Sequence, residues 1–242
     1  MADTSDNPRG DEPVSQWEDY IDILYAPSQV FARRENGNFW IPLLVVSLFF
    51  AILWFASTRV LGPVFDAEFD RQIQRMIEQN PQLSPEQLEA GRSMAQAFQV
   101  FAAIFIVPII VVLVGIALWL VGKVFEAKQT LRSALVVAAF AYFPRVLEQA
   151  VGIIEGLFRD MHDVDGRNRL TWGVGRFLNP DTVSPELLAL ASRIDVFTIW
   201  VTVLLAVGLA VTGRISRQRA ALAGVMMWLI GAIPTFFALL RA

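Results

Sequence analysis

The sequence predicts an all-α integral membrane protein with five transmembrane helices, and three observations carry that prediction. Of 242 residues, 55% are hydrophobic and only 18% charged, against about 25% charged in soluble domains. The apolar residues are gathered into long runs, most of them free of charge and each near the ~20 residues that cross a bilayer. The short links between runs are basic, whereas acids collect in the longer connections. Cationic short loops stay in the cytoplasm, so the N-terminus is expected inside, the C-terminus outside, and both long connections outside.

In chain order, residues 1–16 are polar and carry Pro8, Gly10 and Pro13, a composition expected to be disordered. Asp3, Asp6, Asp11 and Glu12 face only Arg9 there, so a basic signal-peptide start is not expected. From Trp17 the pattern becomes helical: Trp17, Tyr20, Ile21 and Leu24 recur on one stripe with Glu18, Asp19 and Asp22 between them. Pro27 interrupts it, and Val30 and Phe31 follow before Arg33 and Arg34. Two placements are open: amphipathic helices lying on the membrane surface, or helices packed on the cytoplasmic ends of the spans. The expected division is an acidic cytoplasmic segment, residues 1–38, and a five-span membrane domain, residues 39–242.

The spans follow from charge-free length. The first covers residues 39–58, with Trp40 and Trp54 near its ends as an aromatic belt requires. Residues 59–97 form a polar insertion in which Val64, Phe65, Phe69, Ile73, Met76 and Ile77 trace a helical stripe. Asn80-Pro81 ends that helix. Ser84-Pro85-Glu86-Gln87 starts another with capping-box chemistry, and it runs on into the second span, residues 98–122, which Pro108 should kink. After a link holding Lys123, Lys128 and Arg132 comes the third span, residues 131–158. A second polar insertion, residues 159–195, contains a further Asn179-Pro180 and Ser184-Pro185-Glu186. Shared capping chemistry accounts for its resemblance to the first insertion, with a parallel two-span repeat as the alternative. The fourth span, residues 196–212, begins after a capping Asp195. The link Arg214, Arg217, Arg219 leads to the fifth, residues 220–240, where Gly224 and Gly231 offer small surfaces for close packing.

The third span alone contains charge: Arg145, Glu148 and Glu155, with Arg159 just beyond. At 100° per residue these four, with Gly152 and Gly156, fall within about 100° of one another. Arg145 can pair with Glu148 three residues on, and Glu155 with Arg159 four residues on. Intramembrane charge usually marks function, so an ion or proton path along this polar face is one reading. Depth favours another. Counted from Arg132 at 1.5 Å per residue, Arg145 lies roughly 20 Å up and Glu155 roughly 34 Å up. Against a core of about 30 Å, Glu155 reaches the boundary and Arg145 can snorkel. Pro144 can bend the chain and leave a tilted, half-interfacial helix. The other spans offer few polar partners, chiefly Gln99, Thr198 and Thr202.

Other chemistries find little support. There is no Cys and one His, His162, so neither thiolate nor multi-His metal sites can be built. The stretch from Asp163 to Asn168 hints at a calcium loop, but Met161 and Trp172 stand where that loop needs acids. No nucleophile is placed beside a base. A net charge of −3 argues against nucleic acid. Trp17, Trp40, Trp119, Trp200 and Trp228 fall near expected interfaces and read as belts. No cofactor, metal or catalytic residue is expected.

Three stretches carry a family resemblance. Asp22-Ile-Leu-Tyr-Ala-Pro-Ser-Gln-Val-Phe31 precedes Phe39-Trp-Ile-Pro-Leu43; Leu83-Ser-Pro-Glu-Gln-Leu88 precedes the second span; Val196-Phe-Thr-Ile-Trp200 opens the fourth, followed by Gly208-Leu-Ala. With five spans and a cytoplasmic N-terminus, the chain resembles the bacterial branch of the Yip (Ypt-interacting protein) family over roughly residues 20–240. Eukaryotic members are non-enzymatic scaffolds of vesicle traffic that contact Rab-type GTPases, a pathway bacteria lack in that form. The long outer insertions here depart from the compact members. The resemblance implies a scaffold or accessory subunit of the inner membrane, working with lipid and with other membrane proteins or itself. The alternative is a transporter or transport-linked subunit using the charged face of the third span.

Overall fold

The computed structural model describes residues 15, 17–82, 84–161, 164 and 166–239. Ten α-helices are described, with no strand among the described residues beyond one isolated bridge between Gly173 and Asp195. Five segments are long and apolar enough to cross a membrane: Trp40–Val60, Ile104–Val124, Leu131–Phe158, Val196–Gly213 and Arg217–Phe237.

The N-terminal stretch forms two short helices, α1 (Asp19–Tyr25) and α2 (Pro27–Arg34), joined at Ala26. Of the two placements open to them, packing against the bundle is the one observed. Ile23, Val30 and Phe31 are completely buried, in the same core as Phe140, Leu204 and Leu209. The periodicity is only half right about the faces. Tyr20 and Leu24 pack on the core, but Trp17 and Ile21 of the stripe are exposed, as is Tyr25 beside them. Asp19, which the stripe puts on the polar face, is buried and ion-paired to Arg33 (2.8 Å) and Arg34 (2.5 Å).

The first span is α3 (Trp40–Val60), and α4 (Gly62–Gln79) turns off it after Leu61. A single 40-residue helix, α5 (Pro85–Val124), combines the start of the second insertion helix with the second span. The Ser84 hydroxyl accepts from the Gln87 N–H and the Gln87 side chain accepts from the Ser84 N–H, which is the expected capping box. At 1.5 Å per residue α5 is about 60 Å long, twice the hydrocarbon thickness.

The third span is divided. An 11-residue α6 (Leu131–Ala141) ends at Tyr142, and a 16-residue α7 (Phe143–Phe158) starts afresh. Pro144 is the cause: it cannot donate into the preceding turn, and it occupies the first turn of α7, where no donor is needed. α6 is almost wholly buried, with Val136, Val137, Ala138 and Ala139 closed off by the surrounding spans. α7 exposes Ile154, Leu157 and Phe158 on one side and lies against α3 through Val146 and Gly156.

The second insertion is two short 3₁₀ turns, Arg167–Leu170 and Val174–Phe177, followed by α8 (Pro185–Ala191). The Ser184 hydroxyl caps α8 as it should. The likeness to Ser84 stops there, since α8 ends after seven residues and packs on the fifth span rather than continuing into the fourth. The fourth span is α9 (Val196–Gly213), capped by Asp195, and the fifth is α10 (Arg217–Leu239). Gly224 meets Ala206 and Thr202 of α9, the close approach expected of it.

The links sort to two ends. At one end Arg132 Nε donates to the Gly37 carbonyl (3.0 Å), the Lys128 N–H to the Gly213 carbonyl (2.9 Å), and Arg214 lies 3.9 Å from Glu35. The basic links therefore share a side with the N-terminal helices. At the other end the two insertions meet: Val64 packs with Met161, Val164 and Leu170, and the Arg167 N–H donates to Glu68 (2.8 Å). The segment before Ser15, and His162, Asp163 and Asp165 of the weak calcium loop, lie outside the described residues.

Candidate functional site

The polar residues of α7 divide into two centres. In the first, Arg145 Nη1 donates to Glu148 at 2.5 Å, the pair the spacing requires. Its Nη2 donates to Thr198 Oγ1 at 2.6 Å, and Asp195 Oδ1 lies 4.0 Å from Nη1. Asp195 is buried and busy: it accepts the N–H groups of Phe197 and Thr198 (both 2.9 Å) and the Thr198 hydroxyl. The charge on Arg145 is thus tied across to the start of α9, which places two carboxylates and a hydroxyl around one guanidinium. In the second centre Glu155 accepts from Arg159 (2.7 Å) and from Arg176 of the second insertion. No described contact joins the two centres.

Sequence reasoning found both helical pairs but missed Arg176 and the second role of Asp195. Only the cap was legible there, because partners 21 to 53 residues apart leave no periodic signal. The second insertion is pinned around these groups. The Val174 N–H donates to the Ile194 carbonyl and the Val196 N–H to the Trp172 carbonyl, and a Cβ on Gly173 would collide with Ile194 and Asp195. Buried Asn168 donates to the Gly175 (2.8 Å) and Leu178 (2.9 Å) carbonyls. Arg193 donates to the Trp228 carbonyl (2.9 Å) and lies over the Trp228 ring. Burial, and then the nearby Arg145, pull the Arg193 guanidinium below its ordinary range. Trp228, expected in a belt, also brackets this arginine.

Between α4, α7, α8 and the turn at residues 167–171 opens a cleft of about 550 Å³. Its walls include Arg71, Arg75, Arg145 and Arg167 against two carboxylates, Glu68 and Glu148. The Arg167 guanidinium stacks on Trp54 (5.5 Å) and Phe65 (5.3 Å). Phe50 and Leu61 of the first span form an apolar wall. Arg71 and Arg75 are four residues apart on one face of α4, a signal that attention to the apolar stripe alone overlooks. Among the described residues no group of three or more His, Asp or Glu could hold a metal.

With this architecture in place, comparison with known sequences is decisive. The Yip1 domain matches residues 21–239, from the middle of α1 to the end of α10. The chain belongs to the Yip1 domain family. A relative over most of its length is "Membrane protein YknW" of Bacillus subtilis (strain 168), 27% identical over 227 residues that cover 89% of this chain and 87% of the relative. No solved structure matches the chain. The match begins within α1, so the buried N-terminal hairpin is part of this Yip1 domain and not an appendage to it. This Yip1-domain chain is a membrane protein with both charged centres of α7 inside the family region.

Proposed function

We propose that this Yip1-domain protein is a non-enzymatic scaffold or accessory subunit of the cytoplasmic membrane, with its N-terminal helices facing the cytoplasm. One observation carries the reading. The α1–α2 hairpin is fixed by the buried Asp19 carboxylate between Arg33 and Arg34, and it presents Trp17, Ile21 and Tyr25 outward from that rigid base. A pre-ordered aromatic edge is a docking feature, because ordering cost has already been met and aromatic anchors dominate interface energies. The transport alternative has no comparable support. Below Arg145 the core between α6 and α9 continues through Val137, Ala141, Leu204 and Leu205, and buried polar groups return only at the far end, with Ser133 and the Gln129–Thr212 pair.

The test is crosslinking in native membranes followed by mass spectrometry. Wild-type protein should recover another membrane or cytoplasmic protein through α1, and the combined W17A, I21A and Y25A variant should lose it. The R145Q and E148Q double variant should keep it. Recovery of nothing but copies of the chain would sink the reading.

A further inference from the structure

We propose that the cleft between α4, α7 and the second insertion binds the phosphate headgroup of an amphiphile, whose apolar chain lies on the Phe50–Leu61 wall. The cleft lining holds more positive than negative charge. Glu148 is taken by Arg145, and Glu68 accepts the Arg167 N–H. Three arginines of the lining are left without a carboxylate hydrogen bond, against the one remaining carboxylate of Glu68. Arg75 makes no hydrogen bond or ion pair among the described residues. Arg167 has aromatic rings on its guanidinium but no carboxylate. Arg71 reaches Asp181 only at 3.8 Å, and its Nη2 is buried without a hydrogen-bond partner. A buried cationic donor with no partner is costly. An anion bridging Arg71, Arg75 and Arg167 removes that cost, and guanidinium forks match phosphate oxygens in a bidentate fashion.

The lining also has an apolar side. Phe50 lies ten residues before Val60, about 15 Å down the first span, so the cleft reaches from the insertions into the hydrocarbon region. Leu61, Leu170 and Leu188 continue the apolar side upward. A small soluble anion would leave that wall unused. The volume, about 550 Å³, suits a headgroup and its first methylenes, within the ~300–1,000 Å³ of ordinary ligand sites. This inference stands apart from the scaffold reading and does not depend on it.

Three probes separate the contributions: short-chain phosphatidic acid, the matching diacylglycerol without phosphate, and glycerol phosphate without chains. Binding is measured by native mass spectrometry and thermal shift on the purified full-length protein. Phosphatidic acid should bind and stabilise, glycerol phosphate at least about tenfold more weakly, and diacylglycerol not measurably. R75Q removes no native ion pair, so it should leave unliganded stability unchanged and weaken phosphatidic acid about tenfold, a loss of roughly 1.4 kcal/mol. Q72E, which adds a carboxylate to the exposed face beside these arginines, should do the same; R217Q at the other end should do nothing. Unaltered affinity in R75Q and Q72E, or diacylglycerol binding as tightly as phosphatidic acid, overturns the headgroup site. Equal affinity for glycerol phosphate overturns the apolar half and leaves a small-anion site in its place.

Discussion

Asp19 is the residue whose position the chain explains only after folding. Its partners lie 14 and 15 residues on, beyond any helical period, and its helix is closed in by α2 and α6. A buried carboxylate between two guanidiniums is stable only while all three remain. D19N should therefore destabilise the hairpin by about 3 kcal/mol, the low end for a broken buried pair, since both arginines keep partial access to water. Limited proteolysis near Arg33 and Arg34 would report it. Tyr20 gives a pH test. Burial first, and then the Asp19 carboxylate, push its phenol up to about 12, against about 10 in an unfolded chain. The folded state then holds the proton longer, so this contribution is complete below pH ~10 and is lost as pH rises toward about 12. Hairpin undocking, followed by Trp17 fluorescence, should show an alkaline transition that Y20F lacks. The α7 pairs, by contrast, were legible outright, because three- and four-residue spacings dictate neighbours on a helix.

Among the elements, caps and breaks were the most readable features. Ser84, Ser184, Asp195 and Pro144 act through their own few neighbours, so local chemistry suffices. How helices approach one another was not readable, and glycines show why. Gly152 of α7 has open space around its Cα, whereas a Cβ on Gly208 of α9 would strike Val137 of α6. The two should respond oppositely to alanine. G208A should cost about 1–3 kcal/mol by overpacking, while G152A should be neutral or stabilise by up to ~1 kcal/mol through helix propensity. Thermal unfolding in one detergent would compare them. Sequence alone flagged Gly224 and Gly231; it had no means to rank Gly208 above Gly152.

At the scale of the whole molecule, five spans were legible because hydropathy and length speak for each helix separately. The gathering of basic links at one end was legible from the charges. The cleft was not, since its walls come from α3, α4, α7 and α8 and the turn at residues 167–171, which only tertiary packing assembles. The docked insertions also imply coupled stability. Replacing Asn168 by Ala should free the Gly175 and Leu178 carbonyls it holds. The Gly175 carbonyl keeps the Leu178 N–H, so a loss of about 1 kcal/mol follows mainly from the Leu178 carbonyl, and hydrogen exchange should rise across residues 167–178 together.

The division of the third span at Tyr142 bears on how the protein is made. At 1.5 Å per residue α6 is about 16 Å long and α7 about 24 Å, so neither crosses a ~30 Å core alone. α7 also carries a guanidinium that has Glu148 beside it but whose other partners, Asp195 and Thr198, lie some fifty residues downstream. At ~5–20 residues per second those partners leave the ribosome several seconds later. During that interval only the neighbouring Glu148 offsets the charge. The fourth span completes the polar shell around it, so the third span should become fully settled in the bilayer only once α9 arrives.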